Sequence, residues 1–299
     1  MMRKLFLASI VLAVACIAQA QTIKVAPLLK KGIVKNSTIT VTTNTAGKQV
    51  TITSAGRYTV SEDTKDGHVV DCIITDLTTD AKADDVVGRL LSASTEMMKG
   101  VNERIVVDKD GVATGIKNYA DVKKQSEKAC GKLIDALLEE APQLGEMMSK
   151  ETLMKQVMGQ LTEETMVAAA KVSASPLALN GKTINTGMED EYVNQQGMKM
   201  KRTYTVTDGV ISSTATLNMT RDELKQIVIS QVEKIMPGQA ETIKQNIDMV
   251  MATGLVKFNA TEKATYELAD DGWVKSINME STTETMGQKV TAITKVELK

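Results

Sequence analysis

The chain has 299 residues, with 36 Lys+Arg against 37 Asp+Glu and a formal net charge of −1. That balance gives no charge-based attraction for a polyanion, so no nucleic-acid partner is expected, and 42% apolar residues are enough to build a core. Aromatic residues at 3% argue against a stacking surface for bases or sugars, and one histidine, His68, rules out a His-rich metal centre.

Met1-Met2-Arg3-Lys4 is a short basic start, and Leu5 to Ile17 form an apolar run of signal-peptide length, short for a membrane span. Ala18-Gln19-Ala20 supplies the small-x-small pattern that signal peptidase reads. Residues 1–20 are therefore expected to be removed, leaving Gln21 first and a mature net charge of −3 once Arg3 and Lys4 are gone. The expected location is periplasmic or extracellular. An uncleaved anchor and lipid anchoring at Cys16, which follows Ala13-Val14-Ala15, are the alternatives. No later stretch reaches 18 continuous apolar residues, so no integral span is expected after signal removal.

Strand signals dominate the rest. Asp-Gly recurs at Asp66-Gly67, Asp110-Gly111, Asp208-Gly209 and Asp271-Gly272, each flanked by strand formers such as Arg104-Ile105-Val106-Val107 and Arg202-Thr203-Tyr204-Thr205-Val206. Such dipeptides accept the positive φ of tight hairpins, which predicts antiparallel pairing at all four places. Thr42-Thr43-Asn44-Thr45-Ala46-Gly47-Lys48 is echoed by Thr282-Thr283-Glu284-Thr285-Met286-Gly287-Gln288, and more loosely around Gly197. Shared hairpin composition accounts for this echo more simply than internal duplication, because short-period repeats are absent.

Helices are predicted between these blocks. Val86, Val87, Leu90, Leu91, Met97 and Met98 share one helical face. A second helix runs from about Ala120 to Ala141, where Pro142 stops it. Ser149 and Thr162 are candidate caps for two shorter ones, the second reaching Lys171. Thr220-Arg221-Asp222-Glu223 is a capping box ahead of the stripe Leu224, Ile227, Val228, Val232 and Ile235, ended by Pro237-Gly238. A sister helix carries Ile243, Ile247, Val250 and Met251 up to Gly254. The fold class expected is α+β: a twisted, curved antiparallel sheet, a hairpin meander or half-barrel, with inserted amphipathic helices. Residues 21–175 form a β-rich half with a helical segment and residues 176–299 a strand-helix-helix-strand half, or the two are one continuous domain.

Val106-Val107-Asp108-Lys109-Asp110-Gly111-Val112, a helical block containing Pro142-Gln143-Leu144, then Gly181-Lys182-Thr183-Ile184-Asn185, Met198-Lys199-Met200 and Asp271-Gly272-Trp273 stand in a recognisable order. Over most of the mature chain this order resembles the DUF6263-type exported envelope proteins of Gram-negative bacteria, a family of unknown function. The resemblance implies an envelope location and a β-rich fold, and carries no catalytic residue with it.

Two cysteines remain after the signal. Cys72 lies on the strand face of Val70 and Ile74, and Cys130 on the helical stripe Leu133, Ile134, Leu137 and Leu138. They are a candidate disulfide pair, or two buried small hydrophobes. The chain holds 18 methionines, which read as core filler or cavity lining; Met198 and Met200, on one strand face, are the best thioether pair for copper(I). Asp108-Lys109-Asp110-Gly111 has Val106 where an EF-hand needs a ligand, so it reads as a turn. The acid pairs Asp84-Asp85, Glu139-Glu140, Glu163-Glu164 and Asp270-Asp271 sit where exposed acids are ordinary, and no nucleophile motif accompanies His68. The expectation is a protein without enzymatic activity or cofactor that binds an apolar or amphipathic ligand such as lipid. The alternative is a structural or protein-interaction module of the envelope.

Overall fold

A computed structural model describes residues 21–45, 47–82, 88–89, 98–194, 198–235, 240–252, 258–285 and 288–299. Residues 1–20, read from sequence as a signal and including Cys16, most of the stripe from Val86 to Met97, the loop around Gly197, the Pro237-Gly238 stop and Gly254 lie outside them.

The strands are β1 (Thr22–Lys24), β2 (Val34–Thr45), β3 (Lys48–Asp63), β4 (Gly67–Thr79), β5 (Asn102–Asp108), β6 (Ala113–Ile116), β7 (Thr183–Asn185), β8 (Glu189–Val193), β9 (Lys199–Thr207), β10 (Val210–Leu217), β11 (Phe258–Leu268), β12 (Val274–Thr285) and β13 (Gln288–Leu298). Eleven of them form one curved, open antiparallel sheet in the order β6-β5-β4-β3-β2-β13-β12-β11-β10-β9-β8. The fold is α+β, as the turn and helix signals predict. Every neighbour is a sequence neighbour except at the centre, where the terminal strands β2 and β13 pair from Thr45↔Val290 to Ser37↔Leu298. Strands from both sides of residue 175 thus share one sheet.

All four Asp-Gly steps link adjacent antiparallel strands: β3 to β4, β5 to β6, β9 to β10 and β11 to β12. Between β9 and β10, Thr207 pairs with Val210 and only Asp208 (φ 50°) and Gly209 (φ 78°) remain to turn the chain. Two successive positive φ values are what a two-residue hairpin matched to strand twist requires. The echoed segments Thr42–Thr51 and Thr282–Thr291 are the neighbouring hairpins β2–β3 and β12–β13.

The helices are α1 (Tyr119–Glu140), α2 (Pro142–Met147), α3 (Lys150–Gln160), α4 (Glu163–Ala169), α5 (Arg221–Ile235) and α6 (Ala240–Ala252). Pro142 ends α1 as expected, but it also opens α2, because the first helical position needs no amide hydrogen. Ser149 caps α3 by accepting from Thr152 N at 3.2 Å. Thr162 begins α4, which stops at Ala169, short of Lys171. The capping box at α5 is present in both directions, Thr220 N to Glu223 Oε2 at 2.9 Å and Glu223 N to Thr220 Oγ1 at 3.2 Å. Helices α1 to α4 carry the chain away from edge strand β6, and α4 seals that edge where Glu163 accepts from Ile116 N at 2.9 Å. None of the helices among the described residues is long and apolar enough to cross a membrane.

Two large apolar clusters fill the base of the inner sheet face. One gathers Tyr58, Val60, Val70, Ile105, Val107, Met166, Leu177 and Trp273; the other gathers Val25, Leu179, Ile184, Tyr204, Ile211, Tyr266, Ile277 and Val296. Residues 25–33 strap across this base, where Trp273 Nε1 donates to Leu28 O at 3.0 Å.

Candidate functional site

Between and beyond these clusters the inner face changes composition. β2 presents Ile39, Val41 and Thr43; β13 presents Val290, Ala292 and Thr294; β12 presents Met279 and Ser281. Register aligns them in cross-strand rows, Val41–Thr294–Met279 and Thr43–Ala292–Ser281. Ser, Thr, Ala and Val side chains are short, so the face here does not reach the segment above it, and a gap is left where the Tyr-rich positions would close one.

That upper segment is the irregular chain after α4. Ala170 follows the helix, and residues 171–181 run as successive turns with bonds such as Ser175 N to Val172 O (2.8 Å) and Ala178 N to Ser175 O (3.0 Å). Leu177 and Leu179 anchor it, at 3% and 0% exposure, in the two base clusters. Ala169, Ala170, Val172 and Ala174 to Leu177 form the roof of a groove of about 480 Å³. The floor is the inner face from β5 to β12, with Tyr58, Cys72, Glu103 and Ile105 at one end. Its size and mainly apolar lining with few polar groups are those of small-molecule sites. Ala174 to Pro176, at the boundary between the two halves drawn from sequence, are thus part of the groove roof.

A polar network stands behind the far end. The Arg202 guanidinium, 2% exposed, donates from Nε to Asp190 Oδ1 at 2.8 Å and from Nη2 to Oδ2 at 2.9 Å, while Nη1 donates to Ser173 Oγ at 3.2 Å. It lies 4.5 Å from the Tyr192 ring centre and 4.9 Å from that of Tyr204. Asp190 also accepts from Lys182 and from Tyr204 Oη. Burial disfavours the charge on Asp190, but the bonds and charges of Arg202 and Lys182 outweigh it and hold the carboxyl at about 2. Ser173 and Tyr192 donate to Glu262, which faces a small cleft of about 40 Å³ sharing Val172, Ala174, Met279 and Ser281 with the groove. Two cations and two carboxylates balance here, so the network fixes the roof to the sheet through Ser173.

The residues singled out from sequence fall as follows. Cys72 faces inward on β4, as its alternation predicts, and lines the groove; Cys130 is on α1, which packs against α3. Both are free thiols, so of the two alternatives the disulfide is not the one seen; Cys72 belongs to the sheet face and Cys130 to helix α1. Burial pushes the Cys72 thiol up to about 12 and raises that of Cys130. Met198 and Met200 are buried with Ala215 and Ala260 in a third cluster, and among the described residues Met279 is the methionine that lines the groove. Asp108 Oδ1 accepts from Asp110 N and Val112 N, both at 2.9 Å, so its side chain is engaged in shaping the turn. His68 is half-buried at the start of β4, with Nδ1 3.0 Å from Asp63 Oδ1. Asp84-Asp85 lies outside the described residues.

No family model matches the chain, and no curated protein sequence does. Among solved structures, one of lipovitellin, concerned with its lipid–protein interactions, is similar over 91% of this chain at 8% identity and a TM-score of 0.40. This chain spans a quarter (25%) of that one. A porin-like protein from Bacteroides uniformis overlaps 92% of this chain and 98% of its own at 9% identity and a TM-score of 0.20. Overlap this loose carries no information on ligand or activity.

Proposed function

We propose that this is a non-catalytic, exported envelope protein that holds an apolar or amphipathic molecule, such as a lipid, in the groove between the inner sheet face and residues 169–177. The observation that supports it is the roughly 480 Å³ apolar gap, kept open by Ala292, Thr43, Ser281 and Thr294 between two tightly filled clusters. A gap of that size, lined more by carbon than by polar atoms, with the Thr43, Ser281 and Thr294 hydroxyls and the Glu103 carboxylate among its walls, suits an amphipathic guest. The Ala18-Gln19-Ala20 site supports export, and the order of turns and strands supports membership of the DUF6263-type envelope family.

The test is binding of N-phenyl-1-naphthylamine, a neutral apolar fluorophore, to the wild type and to Ala292→Trp. The reading predicts saturable, blue-shifted emission from the wild type and at least about a tenfold weaker affinity in the variant. Equal binding by both, or none by the wild type, contradicts it.

A second reading, an interaction module of the envelope, draws on α5 and α6. These helices are tied to each other through Arg221 and Lys225 on Asp248, with Met249 62% exposed. A monodisperse monomer without crosslinked partners in an envelope extract counts against it.

A further inference from the structure

The groove wall carries a single formal charge among the described residues, Glu103. Strand register puts it directly opposite Cys72 on β4, which in turn stands opposite Tyr58 on β3, so the three form one inward row. The adjacent cation does not serve it: Arg104 is on the other face and pairs with Glu62 and with Asp71, the latter at 3.1 Å. Glu103 has no ion pair or hydrogen bond with any described residue, and burial raises its carboxyl above the usual range. The inward acids at the other end of the sheet are partnered, Asp190 by Arg202 and Lys182, Glu262 by Tyr192 and Ser173. An unpaired carboxylate in an apolar wall costs folding stability, and a cation arriving with a ligand removes that cost.

We propose that the groove selects an amphiphile with a cationic, ammonium-type head, held at Glu103, whose apolar chain lies across the floor by Val41, Ala292 and Met279 beneath Leu177. This rests on the groove being a ligand site. From β5 to β12 the floor crosses five strand spacings, about 24 Å, so it is elongated and has its charge at one end only. A head-and-chain molecule matches that polarity. An anionic head would face repulsion from Glu103 with no lining cation to offset it.

The test titrates the chain from Gln21 with three amphiphiles of one chain length, each below its micelle concentration and at 0.15 M salt to screen surface charge. They are dodecyltrimethylammonium, dodecyl maltoside and dodecyl sulfate, followed by calorimetry on the wild type and on Glu103→Gln. The cation is expected to bind about tenfold tighter than the maltoside, with the sulfate weakest, and Glu103→Gln should bring the cation to the maltoside's affinity. Equal affinities for all three in the wild type, a preference for sulfate, or a cation preference surviving in Glu103→Gln overturns the proposal while leaving the groove as a ligand site. Failure of all three to bind overturns both. The wild-type ranking can refute the proposal whether or not the variant folds.

Discussion

Arg202 and Asp190 meet side by side from adjacent strands, joined by two parallel hydrogen bonds of 2.8 and 2.9 Å, with the guanidinium stacked between Tyr192 and Tyr204. The same arginine reaches Ser173 in the roof segment. The pair thus couples the sheet to the roof of the groove, and removing Asp190 leaves the buried guanidinium without its carboxylate. Asp190→Ala is expected to destabilise the fold by about 3–5 kcal/mol, read from urea denaturation. A loss under about 1 kcal/mol contradicts this role.

Asp190 also sets an acid limit. Its folded carboxyl, held at about 2 against 3.8 for a free aspartate, is depressed, so its contribution is present above about pH 4 and disappears as pH falls toward 2. The size is about 2 kcal/mol. Unfolding free energies from urea titrations between pH 5 and pH 2 should fall by that amount more in the wild type than in Asp190→Asn.

Glu103 has the opposite sign. Its carboxyl is raised by burial, so the folded state holds its proton more tightly than the unfolded chain and stability declines as pH rises through the carboxylate range. Glu103→Gln should melt higher than the wild type at pH 7 and no higher at pH 3. A lower melting temperature at pH 7 would show that the carboxylate has a favourable partner.

The thiols give a kinetic contrast. With Cys72 at about 12, only about one molecule in ten thousand carries its thiolate at pH 8, against a larger share for Cys130. Ellman's reagent should label Cys130 first in the folded protein and both thiols in 6 M guanidinium. The unreduced intact mass should show no two-dalton deficit.

Trp273 is the single tryptophan, 2% exposed, and its indole nitrogen holds the strap at Leu28 O. Trp273→Phe keeps the ring packing in part but loses that bond, costing about 1 kcal/mol or more. Wild-type emission should be blue-shifted and should move to the red only with global unfolding.

The meander was legible because local chemistry fixed it: Asp208-Gly209 can be little other than a hairpin turn, and Thr220 with Glu223 can cap only a helix start. The β2–β13 seam was not, since pairing between chain ends leaves no short-range signature beyond two alternating Thr-rich strands. The inward face of Cys72 followed from alternation, but its partner did not, because the position of α1 over α3 rather than over β4 is a tertiary choice. A groove along a curved sheet could be expected, but its place was not legible, being a property of side chains that are too short on three strands at once. Glu103 did leave a trace: in Glu103-Arg104-Ile105-Val106-Val107 it stands on the Ile105 and Val107 side, a charge in register with an apolar face.

A groove filled in the cell by an apolar or amphipathic molecule should be seen by native mass spectrometry of protein released from the envelope without detergent. The expected spectrum holds a population heavier by the mass of a lipid-like adduct, which denaturation removes and which Ala292→Trp lacks. A bare chain mass in the wild type, or an adduct equally abundant in Ala292→Trp, would contradict it.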